Sequence, residues 1–148
     1  MTVPADPPAE ARRGFSLRRV AVAILGLLLI ELVLGVVLNV FVNLPMGASV
    51  VSVLSSQPVL DLHILVALLL IGLSGHAVMK SRHEPSGRPK GAAALALLSA
   101  LIASAGGWEF VFNGQAPAAA GVMTIGFLGV LIAAVLMRMW GSRAPSTA

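Results

Sequence analysis

Glu31, Asp61, His63 and Glu109 are ionisable side chains set inside long apolar stretches of this chain. A carboxyl or an imidazole in such a setting can carry a proton or bind a cation, and an imidazole can also ligate a metal or haem. Glu31 lies midway along the apolar stretch 20–42, with no Lys or Arg at its depth. Burial without a cation favours the neutral acid, so Glu31 is expected to be protonated at rest. It then serves either as a hydrogen-bonded acid that fixes helix packing or as a proton- or cation-coupled site. Ser99, Ser104 and Thr124 are the polar groups expected near its level.

The other polar groups fall at a second depth. Counting about 1.5 Å per helical residue from the basic clusters, Asn39, Asp61, His63 and Glu109 sit one or two turns inside the far boundary. Met123 shares their level, and Asn43, Asn113 and Gln115 lie at the boundary itself. This predicts a polar layer in one half of the protein, with His63 and Glu109 matched in depth. Glu109 and Asn113 share a helix face at i, i+4. Asp61 and His63 are two apart, so only one of them faces a given neighbour. Side chains lean toward their own helix N-terminus, which points Glu31 and His63 in opposite directions, and direct contact between them is not expected. Interfacial solvation accounts for part of this layer: Asp61 can cap a helix start, and Trp108 can anchor at the membrane surface.

His63 is also the candidate for an axial haem b ligand, with Met123 as its partner. A copper site from His63, Met123 and Met46 is chemically open. No metal or cofactor is assigned from the sequence. With no Cys, thiolate sites and disulfides are excluded, and Tyr is absent too. No Ser–His–Asp arrangement or metal-hydrolase motif occurs, so no catalytic residue is assigned.

The elements that must position these groups follow from composition. The chain of 148 residues is 57% hydrophobic and 11% charged, with a mean hydropathy of +0.94. Soluble domains carry about 25% charged residues, so lipid is the expected solvent. Spanning helices need about 20 apolar residues, and four stretches qualify, at about 20–42, 59–78, 91–112 and 118–137. Pro45, Pro58, Pro85, Pro89 and Pro117 are read as lying in the connections. Residues 1–17 and 141–148 are expected to be tails flanking a transmembrane domain over 18–140. Rows of small residues predict close helix packing: Ala96, Ala100 and Ser104, then Ser99, Ala103 and Gly107, with Gly129 and Ala133 in the last span.

Orientation comes from Lys and Arg. Arg12, Arg13, Arg18 and Arg19 precede the first span, Lys80, Arg82, Arg88 and Lys90 lie between the second and third, and Arg138 and Arg143 follow the fourth. All 10 basic residues fall on one side. The expected fold is therefore an all-α integral membrane antiparallel four-helix bundle, N-in and C-in, in the plasma (inner) membrane. The net charge of +4 is explained by this orientation and needs no nucleic acid. The partners expected are the lipid bilayer and other membrane-protein subunits, or a second copy.

The stretch around Glu31 (AILGLLLIELVLGVVLN) has a loose likeness to the first helix of the small multidrug-resistance family, resting on Glu31 followed by Gly35. That resemblance implies drug/proton exchange through Glu31. It covers one span, and this chain lacks the aromatic residues of the family's second and third helices. The sequence alone favours an accessory or interaction subunit of a membrane assembly. A proton-coupled small transporter using Glu31 and a haem b protein using His63 are the alternatives.

Overall fold

A computed structural model describes residues 16–42, 57–113 and 116–141. They form four helices: α1 (Leu17–Phe41), α2 (Pro58–Ser81), α3 (Gly87–Phe112) and α4 (Pro117–Trp140). At 1.5 Å per residue each is about 36–39 Å long, against about 30 Å of bilayer hydrocarbon. All four are long and apolar enough to cross a membrane. An α-helix satisfies its backbone N–H and C=O groups internally, which lipid requires.

The helices extend past the apolar stretches, and the prolines show why. Pro58 and Pro117 open α2 and α4 at the first helical position, where the missing N–H costs nothing and the ring pre-sets φ. Pro89 is likewise inside the first turn of α3, a turn whose N–H groups have no helical acceptor in any case. These three prolines therefore start helices, and do not lie in the connections as the sequence suggested. Pro85 does stay in the short link 82–86, where the His83 and Glu84 N–H groups donate to the Lys80 and Ser81 carbonyls.

The bundle is a ring in which α1 packs on α2 and α4, and α3 packs on α2 and α4. Among the described residues neither diagonal pair comes close. The main core joins Leu17, Val20, Ala21, Ile24 and Leu28 of α1 to Leu70 and Ala77 of α2, the α3 alanines from Ala92 to Ala100, and Val130, Ala133, Ala134 and Met137 of α4. A second, smaller cluster sits at the other end, built on Leu38 and Leu60. The buried positions of α3 are largely Ala, Ser and Gly, while many Leu, Ile and Val side chains on every helix face outward, such as Leu29, Leu68, Leu98 and Ile125. Small residues on the buried face of α3 and large apolar side chains over the outer surface are what is expected when lipid surrounds the helices and close backbone approach holds them.

The closest approach is between α3 and α4. A Cβ at Gly126 would lie 2.6 Å from the Ala103 amide nitrogen and 2.7 Å from the Ser99 carbonyl oxygen. One at Gly106 would lie 2.9 Å from the Met123 nitrogen. Of the small residues anticipated at this contact, Ser99, Ala103 and Gly129 meet the partner helix, whereas Gly106 does so more closely than Gly107.

Candidate functional site

Between the two apolar clusters lies a polar pair. Glu31 of α1 and His63 of α2 face each other with Oε1 3.4 Å from Nδ1. Their side chains are 12% and 13% exposed, so the pair is nearly shut off from its surroundings. The register of α1 against α2 brings them together. Leu38 packs with Leu60 in the small cluster, and one turn further in, Gly35 lies against the His63 ring. Glu31 is the next residue on that face, four positions from Gly35. A Cβ at Gly35 would stand 3.8 Å from the ring's Cε1, ordinary van der Waals contact, so a side chain larger than a methyl would press on the imidazole, which reaches past Gly35 toward the carboxylate.

This corrects the expectation that Glu31 and His63 belong to separate features. The lean of the two side chains does point them apart, but they start only about one helical turn apart in depth. A glutamate and an imidazole together span that distance. Sequence reasoning also passed over Gly35 as the seat of the ring. The spacing that could have revealed it is the i, i+4 relation of Glu31 and Gly35.

The pair is polar and incompletely bonded. A separation of 3.4 Å exceeds the 2.7–3.2 Å of an N–H···O hydrogen bond. Glu31 Oε2 and His63 Nδ1 are both buried without a hydrogen-bond partner among the described residues. Among the described residues no guanidinium or ammonium is at hand: Arg18, Arg19, Lys80, Arg88, Lys90 and Arg138 all sit in the first or last turn of a helix. Nor do the hydroxyls expected near Glu31 serve it. Ser104 and Thr124 donate to the carbonyls of Ala100 and Ala120 on their own helices, each at 2.9 Å, and Ser99 is packed against Gly129.

Burial without a third charge makes net-charged states of the pair costly. The net-neutral arrangements are two: carboxylic acid beside neutral imidazole, and carboxylate beside imidazolium. Both hold one proton between the two residues, so the pair behaves as a unit with a single proton to place. That is the chemistry the geometry offers.

The remaining polar residues do not converge on it. Asn39 and Asp61 are exposed, and Asp61 lies in the first turn of α2, whose cap residue is Gln57. Glu109 is exposed as well, and its Oε1 accepts a hydrogen bond from the Asn113 amide on the same helix. The depth match of His63 with Glu109 thus does not become a contact: His63 Nδ1 faces α1 instead. Trp108 packs against Phe112 in a tilted arrangement, with ring centroids 4.5 Å apart and ring planes at 49°. The Met123 methyl sits against Gly107, so His63 and Met123 are engaged with different neighbours. Asn43, Met46 and Gln115 lie outside the described residues. No group of three or more His, Asp or Glu able to hold a metal occurs among the described residues.

Compared with protein-family models, with curated proteins and with solved structures, the chain finds no match. The Glu31–His63 pair therefore stands on its own geometry.

Proposed function

We propose that this chain is a small proton-coupled transporter of the plasma membrane, in which Glu31 and His63 bind and exchange the coupling proton. One observation carries this reading: a carboxyl and an imidazole 3.4 Å apart, nearly buried and, among the described residues, without a compensating cation. A packing acid has its hydrogen bonds completed by neighbours. Here Glu31 Oε2 and His63 Nδ1 have none among the described residues, so no neighbour fixes which of the two holds the shared proton, and the pair stays net neutral when one proton enters as another leaves.

The bundle is taken as antiparallel, with both termini cytoplasmic and lipid around it. The ten-to-none bias of basic residues supports that orientation. The way Gly106 meets Ala119 and Met123 while Gly126 meets Ser99 and Ala103 supports the antiparallel packing.

The test is reconstitution of the full chain into liposomes that enclose a pH-sensitive dye. Under an imposed gradient, wild-type protein is expected to admit protons faster than empty vesicles, and Glu31→Gln and His63→Gln each to abolish the excess. Infrared spectra of the same samples should contain one carboxylic-acid C=O band that Glu31→Gln removes and His63→Gln shifts. If neither substitution alters flux or spectrum, the proton-coupled reading fails.

A second reading, an accessory or interaction subunit of a larger membrane assembly, is favoured by a different feature. Asn39, Asp61, Glu109 and Trp108 are all exposed near one end of the helices, where polar and aromatic groups can meet a partner subunit. That role predicts co-purification with other membrane subunits, unaffected by Glu31→Gln and weakened by substitutions at Glu109 and Asn113.

A further inference from the structure

At the opposite end of the bundle from this polar rim, the first turn of α1 meets the last turn of α4. Between them is an open cleft of about 360 Å³ lined by Arg18, Arg19, Val22 and Arg138. We infer that this cleft binds a phosphate ester, supplied by the headgroup of an anionic phospholipid in the leaflet on that side.

Among the described residues that line it, three of the four are arginines and none is acidic. The geometry is built and does not rest on charge alone. Arg18 Nε donates to the Arg138 carbonyl oxygen at 2.7 Å. That bond occupies one nitrogen, satisfies an end carbonyl of α4 and fixes the guanidinium plane, and among the described residues it leaves both terminal nitrogens of Arg18 for a ligand. Gly141 sits against the start of α1: a Cβ there would lie 3.3 Å from Arg18 Cγ and 3.4 Å from Leu17 Cβ. The start of α1 has no acidic residue in its first turn and no side-chain cap, so among the described residues nothing in that turn answers its partial positive charge.

With Nε engaged, the Arg18 guanidinium keeps one two-pronged edge, Nη1 and Nη2, which matches two oxygens of a phosphate or phosphodiester. The cleft is at the small end of ligand sites, about 300–1,000 Å³, enough for a headgroup and not for a folded partner. Val22 is 52% exposed one turn further along α1, in line with the acyl chains that would follow a headgroup into the hydrocarbon. Basic clefts between helix ends at the cytoplasmic face are where anionic headgroups bind. This site is independent of the Glu31–His63 pair, and its failure would leave the proton-coupled reading untouched.

The experiment uses delipidated full-length protein in neutral detergent, titrated with phosphatidylglycerol, phosphatidylcholine or soluble glycerol phosphate and followed by native mass spectrometry. Phosphatidylglycerol is expected to bind and phosphatidylcholine to bind at least about tenfold more weakly. The double substitution Arg18→Gln/Arg138→Gln should weaken phosphatidylglycerol binding about tenfold. Arg18→Lys, which keeps the charge and loses the fork, should weaken it measurably while leaving the thermal transition unchanged. Arg82→Gln/Arg88→Gln removes the same charge away from the cleft and should leave affinity within about twofold. Competition by glycerol phosphate that depends on Arg18 would support the site with a soluble ester as ligand, and its failure to compete would support the lipid. Equal binding of both lipids, or equal losses from the two double substitutions, would overturn the proposal.

Discussion

Gly35 lies under the His63 imidazole, where a Cβ would stand 3.8 Å from Cε1. That is ordinary van der Waals contact, so a single methyl fits and anything branched does not. Gly35→Ala should keep the Glu31–His63 pair and be neutral or slightly stabilising, by about 0.5–1 kcal/mol through helix propensity. Gly35→Val should drive the ring from its seat and cost about 1–3 kcal/mol. The His63 ring nitrogen shifts in NMR spectra of the two variants give the measurement. A wild-type His63 environment in Gly35→Val would show that the glycine does not seat the ring.

The pair itself is open to a double-mutant cycle. Glu31→Gln and His63→Gln should each destabilise the bundle, and the double variant by less than the sum. The coupling expected for contacting buried partners is about 0.5–3 kcal/mol. Unfolding titrations in mixed detergent supply the four free energies. Strict additivity would mean that the two residues do not interact.

The packing of α3 against α4 predicts a sharp contrast between glycines. Gly126→Ala forces a methyl into the backbone of Ala103 and Ser99 and should cost about 1–3 kcal/mol. Gly121→Ala, on the same helix with nothing within 4 Å of its Cβ, should be neutral or stabilise by about 0.5–1 kcal/mol. Thermal unfolding of the two variants side by side is the check. Equal effects would place the helices further apart than described.

Topology is readily measured because the chain has no native Cys. Ser86→Cys, in the link between α2 and α3, should react with an impermeant thiol reagent from the same side as tags on both termini. Asn113→Cys, at the far end of α3, should react only from the opposite side. Labelling of both positions from one side would exclude the fourfold crossing.

The helices were legible in the sequence because lipid imposes a simple rule: about 20 apolar residues, then a break. The small-residue contact between α3 and α4 was legible for a related reason, since only Ala, Ser and Gly allow two backbones so close. The polar pair was not. Its formation depends on the rotational setting and register of α1 on α2, which the Leu38–Leu60 and Gly35–His63 contacts determine, and no count of residues from a helix end contains that information. The Glu109–Asn113 bond was visible because both groups lie on one helix, where spacing alone decides who meets whom. His63 with Glu109 needed two helices to agree in rotation as well as in depth, and they agree in depth only.

Arg18 holding the Arg138 carbonyl, with Gly141 wedged beside Leu17, means that the described chain begins and ends at the same spot. A bundle closed in this way resembles a necklace whose clasp can be moved. Joining the two ends by a short flexible linker and opening the chain between His83 and Ser86 would yield a permuted protein with every interhelical neighbour retained. The reordered chain would start with α3, so that α3 and α4, the most tightly apposed helices, would leave the ribosome first.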